Sequence, residues 1–246
     1  MKDYIDEVSG FDVKEIASDI AMFENVGFCG DSYMIGSIII SENPMVGVGN
    51  INLCWGKILE RTHGINSFIY AKGGTSVVNA KPNALWYLDD ANCLPKLISE
   101  TAKNLYVISL GHNDCYISAH QSSYGLSYTK EEFISVFKTN YNTIISSIQN
   151  HAPNAKIIIC MQSKPYILKG WGVDINQAIK EVAESNDIPC LDPSNDAYLS
   201  SDEYVNTMVH DHPVFTGYAG IAKAFDRQFS WATVEYWDYF KDYTGL

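Results

Sequence analysis

Five short aliphatic runs, each closed by small polar residues and parted from the next by a segment of helical period, constrain this chain most. They centre on Val26 and Phe28, on Ile65 to Ala71, on Asn104 to Leu110, on Ala155 to Met161 and on Ile188 to Leu191. Leu105, Tyr106, Val107 and Ile108 show the type, continuous and apolar as a strand covered on both faces must be. Parallel neighbours in a sheet can be joined only by a crossover, and a helix is the usual one. The alternation therefore predicts an α/β fold: a three-layer α/β/α sandwich around a central, mostly parallel five-stranded sheet.

The helices between these runs can be placed by period and by cap. Asp12 can cap a lead-in helix over Val13 to Phe23. Asn50 can cap a second, in which Ile51, Cys54, Trp55, Ile58 and Leu59 form one stripe and Gly64 marks the stop. Leu94, Leu97 and Ile98 suggest a short helix with Pro95 in its first turn. Thr129 and Glu132 have capping-box spacing ahead of Phe133, Val136, Phe137, Ile144, Ile145 and Ile148. Two further helices are expected over Asp174 to Glu184 and Thr216 to Phe229. The glycines of 36–50 and the polar residues of 115–130 read as loops. All of 1–246 is expected to be one domain, with 1–25 as lead-in. Its tail, 230–246, carries Tyr236, Tyr239, Phe240 and Tyr243 at helical spacing, for core packing or a homo-oligomer contact.

Charge narrows the classes of partner. The 246 residues include 17 Lys and Arg against 29 Asp and Glu, a net charge of -12, and the only arginines are Arg61 and Arg227. Nucleic-acid backbones and anionic membranes are poor partners for such a surface. No run approaches the ~18 apolar residues of a membrane span, and the first ten residues lack a signal-peptide pattern, so a cytoplasmic location is expected. Six cysteines lie far apart without a CxxC pair, which suggests free thiols and neither a disulfide framework nor a zinc site.

Chemistry enters at the strand ends. The first run closes on Gly30-Asp31-Ser32, the second on Lys72-Gly73-Gly74, the third on Gly111-His112-Asn113-Asp114, and His210-Asp211-His212-Pro213 precedes the last helix. Open α/β sheets bind ligands outside the carboxyl ends of their strands, although each cluster alone is also ordinary turn chemistry. His210 and His212 could be read as a metal pair, but spacing supplies no third ligand.

In this order and context the four blocks resemble the SGNH hydrolases, also called the GDSL esterase/lipase family, over about residues 26 to 229. The resemblance implies an SGNH, flavodoxin-like fold and a serine esterase without metal or organic cofactor. Ser32 would be the nucleophile and His212 the general base and acid. The backbone N–H groups of Ser32 and Gly73 and the side-chain amide of Asn113 would form the oxyanion hole. Asp31, Asp114 and His112 would serve local hydrogen bonding or face the substrate. One position departs from the pattern: the family usually places an aspartate three residues before the histidine, and here it is Val209. A backbone carbonyl could orient the ring instead, giving a serine–histidine dyad, or Asp211, Asp202 or Glu203 could fold in. The dyad is the favoured expectation.

The loops at the strand ends carry Tyr116, Tyr124, Tyr128, Tyr166, Trp171, Tyr198 and Tyr204. Flat rings with polar tips suit sugar faces and serve equally as packing. The expected substrate is a small-molecule or glycan ester bearing a short acyl group, with acetyl the expected one. An acyltransferase would use the same residues. The contrasting class is a catalytically weak glycan-binding or structural module, for which Val209 supplies the motive.

Overall fold

The computed structural model describes residues 19–42 and 45–243. Its strands are β1 (Asn25–Gly30), β2 (Ser37–Glu42), β3 (Met45–Gly49), β4 (Asn66–Ala71), β5 (Thr75–Ser76), β6 (Leu85–Trp86), β7 (Leu105–Ser109), β8 (Lys156–Cys160), β9 (Cys190–Leu191), β10 (Met208–Val209) and β11 (His212–Pro213). Its helices are α1 (Trp55–His63), α2 (Leu94–Ser99), α3 (His112–Ala119), α4 (Lys130–His151), α5 (Gly172–Ser185), α6 (Asp202–Val205), α7 (Phe215–Glu235) and α8 (Trp237–Phe240).

The central sheet has five parallel strands in the order β4-β1-β7-β8-β9. β1 has neighbours on both sides that lead away in opposite directions, so the strand order reverses beside it and opens a crevice at its carboxyl end. Successive side chains alternate between the two faces. Cys29, Tyr106, Ile108, Ile157 and Ile159 face a core built with Phe133, Phe137, Ile145 and Ile179 from α4 and α5. Val26, Phe28, Leu105, Val107 and Ile158 face the other, with Trp55, Leu59, Phe225 and Phe229 from α1 and α7. Burying each large side chain contributes about 1.5–3 kcal/mol, enough to fix the register of every strand.

The expected caps hold where periodicity was clear. Thr129 Oγ1 accepts from the Glu132 N–H at 3.2 Å, while Glu132 accepts from the Thr129 N–H at 2.8 Å. Gly64 closes α1 in the left-handed region, φ 72°. Asn50 instead caps a 3-10 turn, Ile51–Leu53, that precedes α1.

Several expectations are corrected. Residues 36–50 are not a loop: β2 and β3 pair antiparallel, with Gly47 opposite Ile39 and Gly49 opposite Ser37. The β-branched run Ile38-Ile39-Ile40 outweighs the glycines. Residues 115–130 are not one loop either, since α3 runs to Ala119 and a 3-10 turn spans Gln121–Tyr124. The helix expected over 13–23 lies mostly outside the described residues, and its described end is the 3-10 turn Asp19–Met22. α7 continues past Phe229 into the expected tail. There Phe240 is buried against Phe23 and Phe229, and the Tyr239 hydroxyl bridges the N–H and C=O of Ile157. Trp231 and Trp237 stay exposed. Among the described residues no helix is long and apolar enough to cross a membrane.

Candidate active site

β1 delivers Ser32 to the crevice through a turn that the sequence dictates locally. Asp31 Oδ1 accepts from the Tyr33 N–H at 3.0 Å, and the Asp31 carbonyl accepts from the N–H groups of Met34 and Ile35. Aspartate is a natural turn former because its side chain bonds the backbone two residues on. The Ser37 N–H donates to the Ser32 carbonyl at 3.0 Å and closes the turn.

β4 ends one strand away and brings Gly73 alongside. A methyl group built on Gly73 would lie 3.8 Å from Ser32 Cβ and 3.5 Å from Ile35 Cδ1. These are ordinary contacts, so the protein itself leaves room for a side chain there. Among the described residues neither the Ser32 N–H nor the Gly73 N–H donates to a protein acceptor.

β7 supplies the third corner. Gly111 takes φ 130°, a conformation closed to other residues, and starts α3 so that Asn113 and Asp114 turn back toward the β4 loop. The Asn113 amide nitrogen donates to the Thr75 carbonyl at 2.9 Å and makes a longer contact, 3.5 Å, with Asp31 Oδ2. Asp114, fully buried, accepts from the N–H groups of Val77 and Val78. Burial pushes its carboxyl up to about 7, against the pull of these backbone donors.

His212 reaches the crevice from outside the central sheet. β10 and β11 form a two-residue hairpin in which Val209 faces His212. Its turn residues His210 and Asp211 have φ 46° and 63°, the left-handed conformation of a type I′ turn and one that His and Asp adopt more readily than most residues. His212 Nε2 lies 3.0 Å from Ser32 Oγ, and Nδ1 lies 3.2 Å from the His210 carbonyl. A carbonyl can only accept, so Nδ1 carries the proton and Nε2 is free to accept from the serine hydroxyl. Burial holds the His212 pKa below the ordinary histidine value, which keeps the ring neutral at pH 7.

The structure thus brings together Ser32, Gly73 and His212, with Asn113 on the adjoining strand end. The acids weighed as substitutes for Val209 are elsewhere. Asp202 and Glu203 are exposed on α6, and the Asp211 carboxylate pairs with Lys169 of the β8–α5 loop. His112 stacks on Tyr33 at 4.3 Å and contacts Asp31 through Nδ1 at 3.1 Å, beneath the site.

Two residues that sequence reading passed over also converge here. The Tyr33 hydroxyl donates to the Asp211 carbonyl at 2.7 Å, and Lys169 holds its side chain. Nothing local marks either one. Conversely, most of the loop aromatics are packing: Tyr166 sits edge-on to Tyr33 and His112, Tyr204 is buried against Tyr198, and Trp171 meets Phe133. Tyr116 is 42% exposed, with its ring stacked on His120 and the Lys169 ammonium 5.8 Å from its centroid.

The model of the GDSL-like lipase/acylhydrolase family matches residues 28–219, a span that holds all four corners of the site. This chain belongs to that family. The GDSL-like fold is shared by a family two carbohydrate esterase from Clostridium thermocellum in complex with cellohexaose, at a TM-score of 0.60 and 17% identity. The match covers 84% of this chain and 63% of that one, so the chain spans less than two thirds of that esterase. An acetyl xylan esterase from the rumen bacterium Butyrivibrio proteoclasticus aligns at a TM-score of 0.55 and 13% identity, over 86% of this chain and 64% of that one. A protein described as a GDSL-like lipase from Bacteroides ovatus aligns at 0.56 and 13% identity, over 83% and 96%. No curated protein sequence matches the chain. At these identities the solved structures show the fold, and the family model shows the family.

Proposed function

We propose that the protein is a serine esterase that removes a short acyl group, acetyl, from a polar and carbohydrate-like substrate. The observation that carries this reading is the 3.0 Å approach of His212 Nε2 to Ser32 Oγ at the mouth of the β1 crevice. The Ser32 proton passes to Nε2 as Oγ attacks the ester carbonyl carbon. The charge on the carbonyl oxygen meets the N–H groups of Ser32 and Gly73 and the Asn113 amide, which exchanges its long 3.5 Å contact with Asp31 for the oxyanion. His212 then gives its proton to the departing alcohol, leaving acyl-Ser32. Water, deprotonated by the same nitrogen, attacks the acyl carbon, and collapse frees the acid and restores Ser32.

An acetyl group on a carbohydrate is supported by the carbohydrate esterases that share the fold, an acetyl xylan esterase among them, and by the exposed ring of Tyr116. The test is hydrolysis of p-nitrophenyl acetate, longer acyl esters and acetylated xylo-oligosaccharides by wild type, Ser32→Ala and His212→Ala. The expected result is short-chain activity that falls at least ~10³-fold in both variants. Equal, near-background rates in all three would overturn the reading in favour of a binding module.

A further inference from the structure

His212 has an unusual problem of support. Among the described residues no carboxylate touches its ring, its Nδ1 bond goes to a carbonyl two residues back, and its strand is only two residues long. A ring held this way is only as well placed as the hairpin turn that carries it. That turn, His210-Asp211, lies outside the central sheet and takes none of its hydrogen bonds from it.

Two side chains reach it from rigid neighbours. The first is Tyr33, the residue after the nucleophile. Its hydroxyl donates to the carbonyl of Asp211, the residue before the base, at 2.7 Å. The bond links covalent neighbours of the two reacting residues, so it closes a ring around the Ser32 Oγ to His212 Nε2 contact. Tyr33 itself is fixed: its ring stacks on His112 and meets Tyr166 and Tyr218 edge-on. Burial raises its hydroxyl well above the ordinary tyrosine value, so it remains a donor throughout the working pH range. The second is Lys169, which pairs with the Asp211 carboxylate while its ammonium lies 5.0 Å above the Tyr166 ring.

We infer that Tyr33 and Lys169 clamp Asp211 and thereby position His212, so that the aspartate next to the base serves its backbone where the family's usual aspartate would serve its ring. Tyr33, Lys169 and Asp211 are positioning residues; none donates to or accepts from the reacting atoms. The inference rests on the esterase reading for its kinetic consequences. Misplacing a catalytic group by about 1 Å costs up to ~100-fold in rate, so loss of either arm of the clamp has a measurable effect.

The experiment uses the full chain. Tyr33→Phe keeps the ring stack and removes only the hydroxyl, Lys169→Met removes the charge at similar length, and Lys169→Arg restores it. Lys130→Met, which breaks an exterior pair with Asp174, is the control. Each is assayed with p-nitrophenyl acetate and labelled with a fluorophosphonate, recording both the rate and the final fraction labelled. A positioning role lowers kcat and the labelling rate by about ten-fold or more in Tyr33→Phe and Lys169→Met, with KM and the labelled fraction unchanged and Lys169→Arg near wild type. Rates within two-fold of wild type would overturn the clamp. So would a reduced labelled fraction reacting at the wild-type rate, because that is the signature of partial unfolding.

An inactive, unlabelled wild type would instead sink the esterase reading, and the clamp would then be judged by NMR titration of the His212 ring. The groups that face this ring are Ser32 and Tyr33, His112 above buried Asp31, and His210 and Asp211 of its own hairpin. Releasing the clamp exposes the ring and raises its pKa toward the ordinary value; an unmoved titration would count against it.

Discussion

The two halves of the candidate site are built on different principles. Ser32, Gly73 and Asn113 stand at the ends of β1, β4 and β7, three adjacent strands whose side chains are packed on both faces. Their positions follow from the register of the sheet and cannot shift without moving the core. His212 stands on a two-residue hairpin that is tied to its surroundings by side-chain bonds. Donors for developing charge must be fixed before the reaction, whereas a base must exchange a proton twice per cycle. On the proposed mechanism the rigid half governs how strongly charge is stabilised, and the tethered half governs when the base is available.

The sharpest way to break this contrast is to remove a donor from the rigid half. In Asn113→Ala, kcat with p-nitrophenyl acetate is expected to fall ~10²–10³-fold while the protein still folds. Gly73→Ala tests the same corner by volume. Its new methyl meets Ile35 Cδ1 and Ser32 Cβ at 3.5 and 3.8 Å, contacts that the fold accepts, but it stands where a substrate carbonyl must enter. Its thermal midpoint is expected to match wild type within a few degrees, with turnover down about ten-fold or more. A variant at either position that turns over at the wild-type rate would show that the hole is built elsewhere.

The tethered half is tested through pH. Burial holds His212 below the ordinary histidine value of 6.5, and only its neutral form can act as base. The kcat/KM profile is thus expected to be flat above pH 6.5 and to fall as pH drops through a midpoint below it. Val209→Asp sharpens the point. Val209 faces His212 across the hairpin, and side chains of a cross-strand pair share one face. A carboxylate there favours the imidazolium and is expected to move the acid limb up by about one unit or more. A limb that stays in place would mean that residue 209 does not reach the ring.

What the sequence revealed follows the same division. The sheet and the corners at its strand ends were legible because aliphatic runs and the small polar residues that close them are adjacent in the chain. α3 was not, because the side chains it buries include His112, Asp114 and Ser118, which leave no apolar stripe to read. The β2–β3 hairpin was masked by its own glycines. The clamp on His212 had no local trace at all: it joins residues 33, 169 and 211, which only the folded chain brings together. Val209 did announce that an acid was missing, and a backbone carbonyl was among the substitutes to weigh. The aromatic loops misled in the other direction, since a buried Tyr204 and a sugar-facing tyrosine look alike in sequence.

The smallest effect on turnover, and the cleanest separation of the two halves, is expected from Asp114→Asn. In the fold the Asp114 carboxyl is raised to about 7, whereas in an unfolded chain it titrates near the ordinary aspartate value of about 3.9. The folded state binds the extra proton between these limits, so the contribution of Asp114 to stability is full below about pH 4 and is lost as pH rises through about 7. His212 has the opposite sign: its folded pKa is depressed, so its contribution is full above pH 6.5 and declines as pH falls. Asparagine keeps the shape at 114, and its single carbonyl oxygen can still accept from both Val77 and Val78, as Asp114 Oδ1 does. Thermal unfolding of the variant from pH 4 to 8 should therefore lose the decline toward high pH, on the order of a few kcal/mol, and expose the rise that His212 imposes. The acid limb of kcat/KM should stay where it was, because that limb belongs to the hairpin. If the limb moved with the stability curve, the two halves of the site would be coupled through Asp31 and His112 beneath them, and the division between a rigid and a tethered half would fail.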